Sequence, residues 1–390
     1  MRPTEKIYYN DAYQYEFSAE AVACDKVGDS WHIILNRSCF YPEGGGQPGD
    51  TGFLNDIRII DSRTVAQEIV HVTESPIDVG ETVHGKVDFL RRFAFMQNHT
   101  GEHIVSGIIN KLHGFENIGF HLGANIMTMD FSGELSKDEL TRIEDLANDA
   151  VYENVRLESN FIDSADLKDL TLEYRSKKAI EGTVRIVSIP GYDACACAGL
   201  HVATSGEVGA IKIISAQRYK GGCRLYALCG RDALEDYRQK NESAHQISAL
   251  LSVKPNEINQ AVEKLLVNIE EQKRLIAGLR NEVFALKAQS YTLGAKLAYV
   301  FETDLGPDDM RRFAYEIASR VAVAFVFSNS EEAPDVYRYI ICSQSTPEDI
   351  AKIAKEMNSA LNGRGGAKNE IAQGVVNASR SDIEEYLAKL

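Results

Sequence analysis

A pair of histidines four residues apart constrains this chain more than any other feature. His99 and His103 lie in the stretch Asn98–His103, which opens a segment of helical apolar periodicity that continues to Leu112. On a helix, residues at positions i and i+4 lie one above the other on the same face. Two ligands of one metal ion need that arrangement, although two surface histidines would also satisfy it.

A second pair with the same spacing lies far downstream, at Cys197 and His201. Three imidazole nitrogens and one thiolate sulfur from two distant elements make a tetrahedral set that is typical of zinc. The sequence therefore predicts one Zn²⁺ per chain, held by His99, His103, Cys197 and His201. Cys195, two residues before Cys197, is an alternative thiolate for the same ion.

Length and composition indicate a soluble intracellular protein with several domains. At 390 residues, two to four domains are expected. No apolar run reaches the ~18 residues of a membrane span, and residues 1–6 lack a signal-peptide core. Seven scattered cysteines suit reduced thiols, so we expect a cytoplasmic protein. A net charge of −15 argues against broad nucleic-acid binding but allows a local basic surface.

Residues 1–90 are predicted to form a small β-barrel domain, because short apolar segments alternate with turns. Candidate strands are Ser30–Leu35, Ile57–Ile60, Glu68–Val72 and Val83–Val87. Within this region, the stretch Phe40–Gly52 contains three consecutive glycines at 44–46. Such a run permits positive φ and lets a substrate approach bare backbone, although a flexible hairpin loop is an alternative.

Residues 91–232 are predicted to form an α+β domain that carries all four metal ligands. The histidine helix is expected over 94–112, and Ser136 with Glu139 resembles a capping box that opens a second helix. A further helix is expected over 164–170. The remaining expected strands are 125–131, 155–160, 183–187, 209–215 and 223–229.

Residues 233–295 are predicted to be a helical linker with coiled-coil character. One apolar seam runs through this segment with 4,3 spacing and a single polar position, Gln272. Its members are Ile258, Val262, Leu265, Ile269, Gln272, Ile276, Leu279, Val283 and Leu286. A hairpin with residues 231–250, a homodimeric coil, or both would satisfy the pattern.

Residues 296–390 alternate strand and helix and are predicted to form a small α/β domain. The glycine-rich stretch 363–374 lies between the last two expected helices and carries Arg364 and Lys368. A loop of this composition that runs into a helix can cradle an anion, and a plain surface turn is the alternative. It matches neither the Walker A nor the Rossmann pattern.

Together these motifs resemble the editing half of alanyl-tRNA synthetase and, more closely, the free-standing alanyl-tRNA editing proteins of the long AlaX type. Phe40–Gly52 is similar to the family's glycine-rich motif, Asn98–His103 to its H-T-x-x-H motif, and Cys197–Val202 to its C-x-x-x-H-V element. Residues 363–374 resemble the glycine-rich element of the synthetase's C-terminal domain. Ala198 and Lys368-Asn369 depart from the usual residues. The synthetase catalytic domain has no counterpart, so the chain is expected to remove an amino acid and not to attach one.

The resemblance implies hydrolysis of the ester that joins a wrong amino acid to alanine tRNA, chiefly serine, with glycine as a further candidate. Thr100 is the candidate contact for the seryl hydroxyl, and a helix-capping role is its alternative. A closed zinc site would position the substrate while Gly45, Gly46 and Gln47 hold water, whereas an open site could activate water itself.

His121 is a further candidate catalytic residue, because it is expected at a pocket position. Glu102 is a poor candidate for a general base. Glu102 is expected to point away from the ligand face, because it precedes His103 by one residue on the helix.

Contacts with tRNA are expected in local cationic patches: Arg91, Arg92, Arg175, Lys177, Lys178, Arg218, Lys220, Arg364 and Lys368. The alternative function is a non-catalytic tRNA- or RNA-binding protein with a structural zinc. A metalloprotease is disfavoured, because the H-E-x-x-H pattern is missing.

Overall fold

The chain is an α+β protein, as the sequence predicts. The computed structural model describes residues 3–123, 126–163, 174–175, 182–344 and 347–390. The chain divides into two compact units, Met1–Gln246 and Ile247–Leu390. The division into four domains remains a prediction, as do the expected helix at 164–170 and the cations Lys177 and Lys178, which lie outside the described residues.

The first unit begins with a closed six-stranded barrel in the order β2-β3-β7-β6-β5-β8. The bounds are β1 (Glu5–Lys6), β2 (Glu16–Val27), β3 (Ser30–Leu35), β4 (Arg37–Ser38), β5 (Gly52–Leu54), β6 (Ile57–Val65), β7 (Glu68–Thr73) and β8 (Thr82–Val87). Strand β2 alternates polar and apolar residues, so Phe17, Ala19 and Ala21 fill the barrel interior. Strand β1 pairs with β4 outside the barrel.

In the described residues, two sheets and three α-helices complete the first unit, and the third helix continues past the unit's last residue, Gln246. The bounds are α1 (Phe89–His113), β9 (Asn117–Leu122), β10 (Met127–Phe131), α2 (Lys137–Glu153), β11 (Glu158–Asp163), β12 (Thr183–Ile189), β13 (Asp193–Ala196), β14 (Ile211–Tyr219), β15 (Gly222–Cys229) and α3 (Gly230–Leu251). The sheets have the orders β14-β15-β10-β9 and β11-β12-β13. The capping box is confirmed, since Ser136 Oγ accepts the Glu139 N–H and the Glu139 carboxylate accepts the Ser136 N–H.

The second unit is built on a five-stranded sheet in the order β16-β17-β18-β20-β19. The bounds are α4 (Ile258–Gln289), β16 (Leu297–Thr303), α5 (Pro307–Ala318), β17 (Val323–Ser330), β18 (Ala333–Cys342), α6 (Pro347–Ala360), β19 (Arg364–Lys368), β20 (Ile371–Asn377) and α7 (Arg380–Leu387). Phe284 and Ala288, at the end of α4, are buried against α5. None of the helices in the described ranges is long and apolar enough to span a membrane.

The prediction of a glycine-rich loop at 363–374 that runs into a helix is wrong, because this stretch forms a β-hairpin. Strand β19 pairs with β20 in antiparallel register, and Asn369 at the turn has a φ of 56°. Gly365 and Gly374 lie opposite each other, and a Cβ on either would collide with the Tyr339 hydroxyl. The glycines therefore serve close packing on β18, and no helix N-terminus follows them directly.

Candidate metal centre and its pocket

Helix α1 carries the first ligand pair through the interior of the first unit. It is buried on nearly every side between Phe95 and Ile109, and His99 and His103 are each 2% exposed. Gly101, between the histidines, permits this burial, since a Cβ there would lie 2.3 Å from the Cys229 sulfur. The ring centroids of His99 and His103 are 5.4 Å apart, as expected for neighbours on one helical face.

The second ligand pair comes from the segment that follows β13. Gly199 lets this segment approach α1, because a Cβ at this position would lie 2.0 Å from the His99 ring. The turn is also held from outside, since Arg185 donates to the carbonyls of Cys197 and Gly199. Cys197 and His201 therefore face His99 directly.

The structure brings all four predicted ligands to one point. One donor atom from each of His99, His103, Cys197 and His201 lies within 4.8 Å of every other, and the group could hold a metal ion. Cys197 Sγ is 3.4 Å from the Nε2 atoms of both His99 and His201. Zinc bonds of about 2.0–2.1 Å to nitrogen and about 2.3 Å to sulfur, at tetrahedral angles, separate the two atoms by about 3.5 Å. The donor set thus has the dimensions of a zinc site.

The outer nitrogens of the three histidines supply an independent test of that fit. His99 Nδ1 lies 3.0 Å from Gln47 Oε1, His201 Nδ1 3.1 Å from Thr100 Oγ1, and His103 Nδ1 2.9 Å from Asp193 Oδ2. Each Nδ1 thus lies close to an oxygen, and the Nε2 atoms of His99 and His201 turn inward toward Cys197 Sγ. Metal-bound histidines are held in this way by a surrounding shell of acceptors.

Charge in the cluster also favours a cation. Burial raises the pKa of the Cys197 thiol, but the three histidines outweigh that effect and hold it well below its usual range. Burial and then His99 keep the pKa of His201 well below its usual value. A thiolate and a neutral imidazole are the forms that bind metal. His103 differs, because burial lowers the pKa of its imidazole but Cys197 and Asp193 outweigh that effect and hold the pKa well above the usual value, so metal binding would release its proton. Cys195 differs, because burial raises the pKa of its thiol.

Asp193 and Arg175 form a second layer behind His103, although the sequence placed Arg175 among the cations expected to contact tRNA and did not single out Asp193. Arg175 donates two bonds of 2.8 Å to the Asp193 carboxylate, so it holds Asp193 against His103 and is not part of a free cationic patch. Burial raises the pKa of Asp193, but His103 and Arg175 outweigh that effect and hold the pKa below its usual value. Asp193 precedes Cys197 by four residues, which is a weak signal in the sequence, whereas the sequence around Arg175 offers none.

A cleft of about 580 Å³ opens onto the cluster. Its lining includes Tyr9, Gly45, Glu102, Phe120, Phe161 and Arg185. Glu102 corrects an expectation, since its Oε2 lies 3.8 Å from His103 Nε2 although the residue precedes the ligand by one position. Helix α1 is buried all round, so a side chain about 100° from the ligand face still borders the same cleft.

Thr100 is not placed to contact a substrate as expected. It is completely buried, and its hydroxyl lies 3.1 Å from His201 Nδ1 and accepts the Val202 N–H. Both contacts orient the second ligand pair. Thr100 therefore positions His201.

The glycine motif approaches the cluster through a tight turn. Gly44 and Gln47 exchange two backbone bonds of 3.0 Å around Gly45 and Gly46, whose φ angles are 60° and 85°. A Cβ on Gly46 would lie 2.8 Å from Phe120, so glycine is required there. Gln47 is buried with its Oε1 toward His99 and the Leu200 N–H, so it also positions a ligand.

His121 is a second correction. Its neighbour Phe120 borders the cleft, 5.0 Å from the His99 ring by centroids, whereas His121 is exposed. Side chains alternate faces along a strand, so His121 on β9 points away from the cluster.

Two of the expected tRNA contacts are internal. Arg92 is fully buried and pairs with Asp50 at 2.5 Å, and it also donates to the Cys39 carbonyl. Arg91 is half-buried and donates to the Gly49 carbonyl. Its guanidinium group also lies over the Phe95 ring. The exposed members of the expected set are Arg218, Lys220, Arg364 and Lys368.

Comparison with known proteins agrees with the motifs. Residues 4–91 match the family model of class II (A) tRNA synthetases, and residues 184–226 match that of the threonyl and alanyl tRNA synthetase second additional domain. The alanyl-tRNA editing protein AlaX-L of Pyrococcus horikoshii is 28% identical over 97% of this chain and 96% of its own length. The resemblance drawn from the sequence is confirmed.

The alanine–tRNA ligases are similar over part of their length. That of Pyrococcus furiosus is 29% identical over 98% of this chain. The chain spans about two fifths of the length of these ligases, 42% in this case. The C-Ala domain of Aquifex aeolicus alanyl-tRNA synthetase matches 25% of the chain at 21% identity, covering 94% of its own chain with a TM-score of 0.22.

Proposed function

We propose that this protein is a zinc-dependent deacylase that hydrolyses the ester of mischarged alanine tRNA, chiefly seryl-tRNA and also glycyl-tRNA. The observation that carries the proposal is the buried set of three imidazoles and one cysteine sulfur beside an open cleft. Further support comes from AlaX-L, which the chain matches over nearly its whole length.

Each part of the cleft has a task in this reaction. A zinc ion held by His99, His103, Cys197 and His201 would have all four positions filled by protein, so it would position the ester. Gln47, Thr100 and Asp193 keep the three imidazoles in their ligating orientation. The tight turn at Gly45 and Gly46 lets the substrate approach backbone beside His99. Polar groups in the lining favour an ester with a polar side chain, because alanine would leave them unpaired.

Hydrolysis of seryl-, glycyl- and alanyl-esters on alanine tRNA tests the proposal. We expect rapid release of serine, slower release of alanine, and loss of activity in chelator that added zinc restores. His99→Ala should abolish hydrolysis, whereas His121→Gln should retain it, because His121 lies on the outer face of β9. Zinc-loaded protein that binds tRNA without cleaving any ester would support the alternative of a non-catalytic zinc-containing tRNA-binding protein.

We propose that exposed cations of both units carry the tRNA contacts. Arg218 and Lys220 lie at the β14–β15 hairpin, and Arg364 and Lys368 lie on β19. Arg218 also pairs with Glu134. Since net charge elsewhere repels a polyanion, these few cations should dominate the salt dependence of binding. Replacing Arg364 and Lys368 with glutamine should lower the salt slope by about 1–2, whereas Lys389→Gln should not. An unchanged slope would assign β19 another role.

We propose homodimerisation through α4. The apolar seam from Val262 to Leu286 remains 38% to 65% exposed at its apolar positions. A helix of 32 residues with such a seam is typical of a coiled coil. Sedimentation of Leu265→Glu with Ile276→Glu should give a monomer where the parent gives a dimer. A parent protein that is monomeric at micromolar concentration would contradict this proposal.

A further inference from the structure

Glu102 is a buried carboxylate that no metal-ligand role explains. It is 3% exposed, although an unpaired glutamate is rarely buried in a protein interior. Its Oε1 accepts hydrogen bonds of 2.6 Å from both Ser106 Oγ and Asn117 Nδ2. Asn117 is itself tied to Ser106 at 2.9 Å. Two donors therefore fix one end of this carboxylate.

The other carboxylate oxygen, Oε2, points toward the candidate metal ligands. It lies 3.8 Å from His103 Nε2, the nitrogen that faces the metal cluster. Glu102 also lines the cleft and is the one acidic residue among the described lining residues, beside the cations Lys6, Arg175 and Arg185. A positively charged ligand group at this end of the cleft thus has one carboxylate to bind.

We propose that Glu102 binds the α-ammonium group of the aminoacyl ester. This inference rests on the proposed function, and it names which part of the substrate the residue reads. An ammonium group beside a divalent cation is repelled unless an anion lies next to it. Only the ammonium also carries a full positive charge opposite the carboxylate, so it is a better partner for Oε2 than the neutral seryl hydroxyl.

The fixed geometry of Glu102 makes its amide an informative replacement. In Glu102→Gln, Ser106 and Asn117 still need an acceptor, so the amide oxygen takes the position of Oε1. The amide nitrogen then occupies the position of Oε2 and presents donors to the cleft. The variant keeps the shape and the anchoring bonds but reverses the hydrogen-bonding polarity toward the substrate.

The test compares seryl-tRNA with its α-hydroxy analogue, in which a hydroxyl replaces the amine, using the full zinc-loaded chain. Glu102→Gln should lower kcat/KM about 10- to 100-fold on the seryl ester and less than about 3-fold on the α-hydroxy ester. Glu116→Gln, an exposed residue next to β9, should change neither value. An equal loss on both esters, or no loss on either, would overturn the inference.

A binding measurement on the metal-stripped chain supplies a readout that does not depend on catalysis. The probes are tRNA with a non-hydrolysable 3′-seryl-amide and the corresponding α-hydroxyacyl amide. The parent should prefer the amine, and Glu102→Gln should lose that preference. A preference that survives would overturn the inference even if the variant binds zinc poorly.

Other outcomes separate the two proposals. A collapse of the serine-to-alanine ratio with an unchanged amine-to-hydroxyl ratio would assign Glu102 to the seryl hydroxyl and overturn the inference. A parent that binds the amine-bearing probe but hydrolyses no ester would overturn the proposed deacylase and leave the Glu102 contact standing.

Discussion

Two kinds of buried histidine occur in the first unit, and they differ in what each ring nitrogen meets. In the barrel, His71 is fully buried, with Nδ1 3.0 Å from the Ile33 carbonyl and Nε2 2.8 Å from Ser38 Oγ. At the cleft, the Nδ1 atoms of His99, His103 and His201 each face an oxygen. The Nε2 atoms of His99 and His201 face the Cys197 sulfur, and among the described residues no oxygen lies within hydrogen-bond distance of the His103 Nε2, whose carboxylate neighbour Glu102 is 3.8 Å away. Burial alone therefore does not identify a ligand. The partner of the second nitrogen does.

The largest effect on zinc binding should come from removing the Cys197 thiolate from the four-residue metal cluster. Cys197→Ala takes away one of four donors, which should cost about 3–4 kcal/mol of zinc binding, or several hundredfold. Cys195→Ala is the matched control, because Cys195 lies two residues away but has a pKa raised by burial. Zinc content after dialysis against a weak chelator measures the difference. Zinc retained by Cys197→Ala and lost by Cys195→Ala would exchange the roles of the two cysteines.

His71, whose two ring nitrogens both have hydrogen-bond partners, should make the stability of the protein depend on pH. Burial lowers the pKa of His71 to about 4, from an ordinary value of 6.5 in the unfolded chain. As pH falls, His71 therefore takes up its proton in the unfolded state before it does so in the folded state. The contribution of neutral His71 to folding stability is complete above pH 6.5 and is lost as pH falls toward 4. The shift corresponds to about 3 kcal/mol of the free energy of unfolding.

Trp31, the one tryptophan, lies on β3 and reports on the barrel during urea unfolding. His71→Gln should flatten the loss of stability between pH 6.5 and 4, whereas His84→Gln, exposed on β8, should leave it as it is. Parallel pH profiles for the parent and His71→Gln would remove His71 from the explanation.

A smaller effect on zinc binding is expected when an oxygen beside the Nδ1 atom of a ligand histidine is removed. Thr100→Val keeps the shape of the side chain but removes the oxygen that faces His201 Nδ1. Loss of such a contact typically weakens metal binding 10- to 100-fold, or about 1.4–2.7 kcal/mol. Competition with a fluorescent zinc chelator gives the affinity, and Thr141→Val, on the exposed face of α2, is the control. An unchanged affinity with an altered serine-to-alanine ratio would return Thr100 to substrate recognition.

The sequence was most informative where the signal is local. The spacing of His99 and His103 and that of Cys197 and His201 are helical or turn-length patterns, so the four candidate ligands could be named without a structure. The Ser136–Glu139 capping box was recognised for the same reason. Local spacing records which residues share a face.

Contacts between distant segments could not be predicted in this way. Arg92 was interpreted as a surface cation, but Asp50, 42 positions earlier in the chain, pairs with it in the interior. Asp193 and Arg175 likewise became meaningful only when folding placed them behind His103. The hairpin at β19 and β20 was missed because its glycines indicate flexibility in a sequence, whereas here they allow close packing on Tyr339.

The zinc K-edge absorption spectrum of the metal-loaded full chain tests the central claim most directly, namely that three Nε2 atoms and one thiolate form a single metal site. We predict one zinc per chain with three nitrogen neighbours at about 2.0–2.1 Å and one sulfur neighbour at about 2.3 Å. A spectrum with no sulfur neighbour, or with two, would contradict the assignment of Cys197 together with His99, His103 and His201.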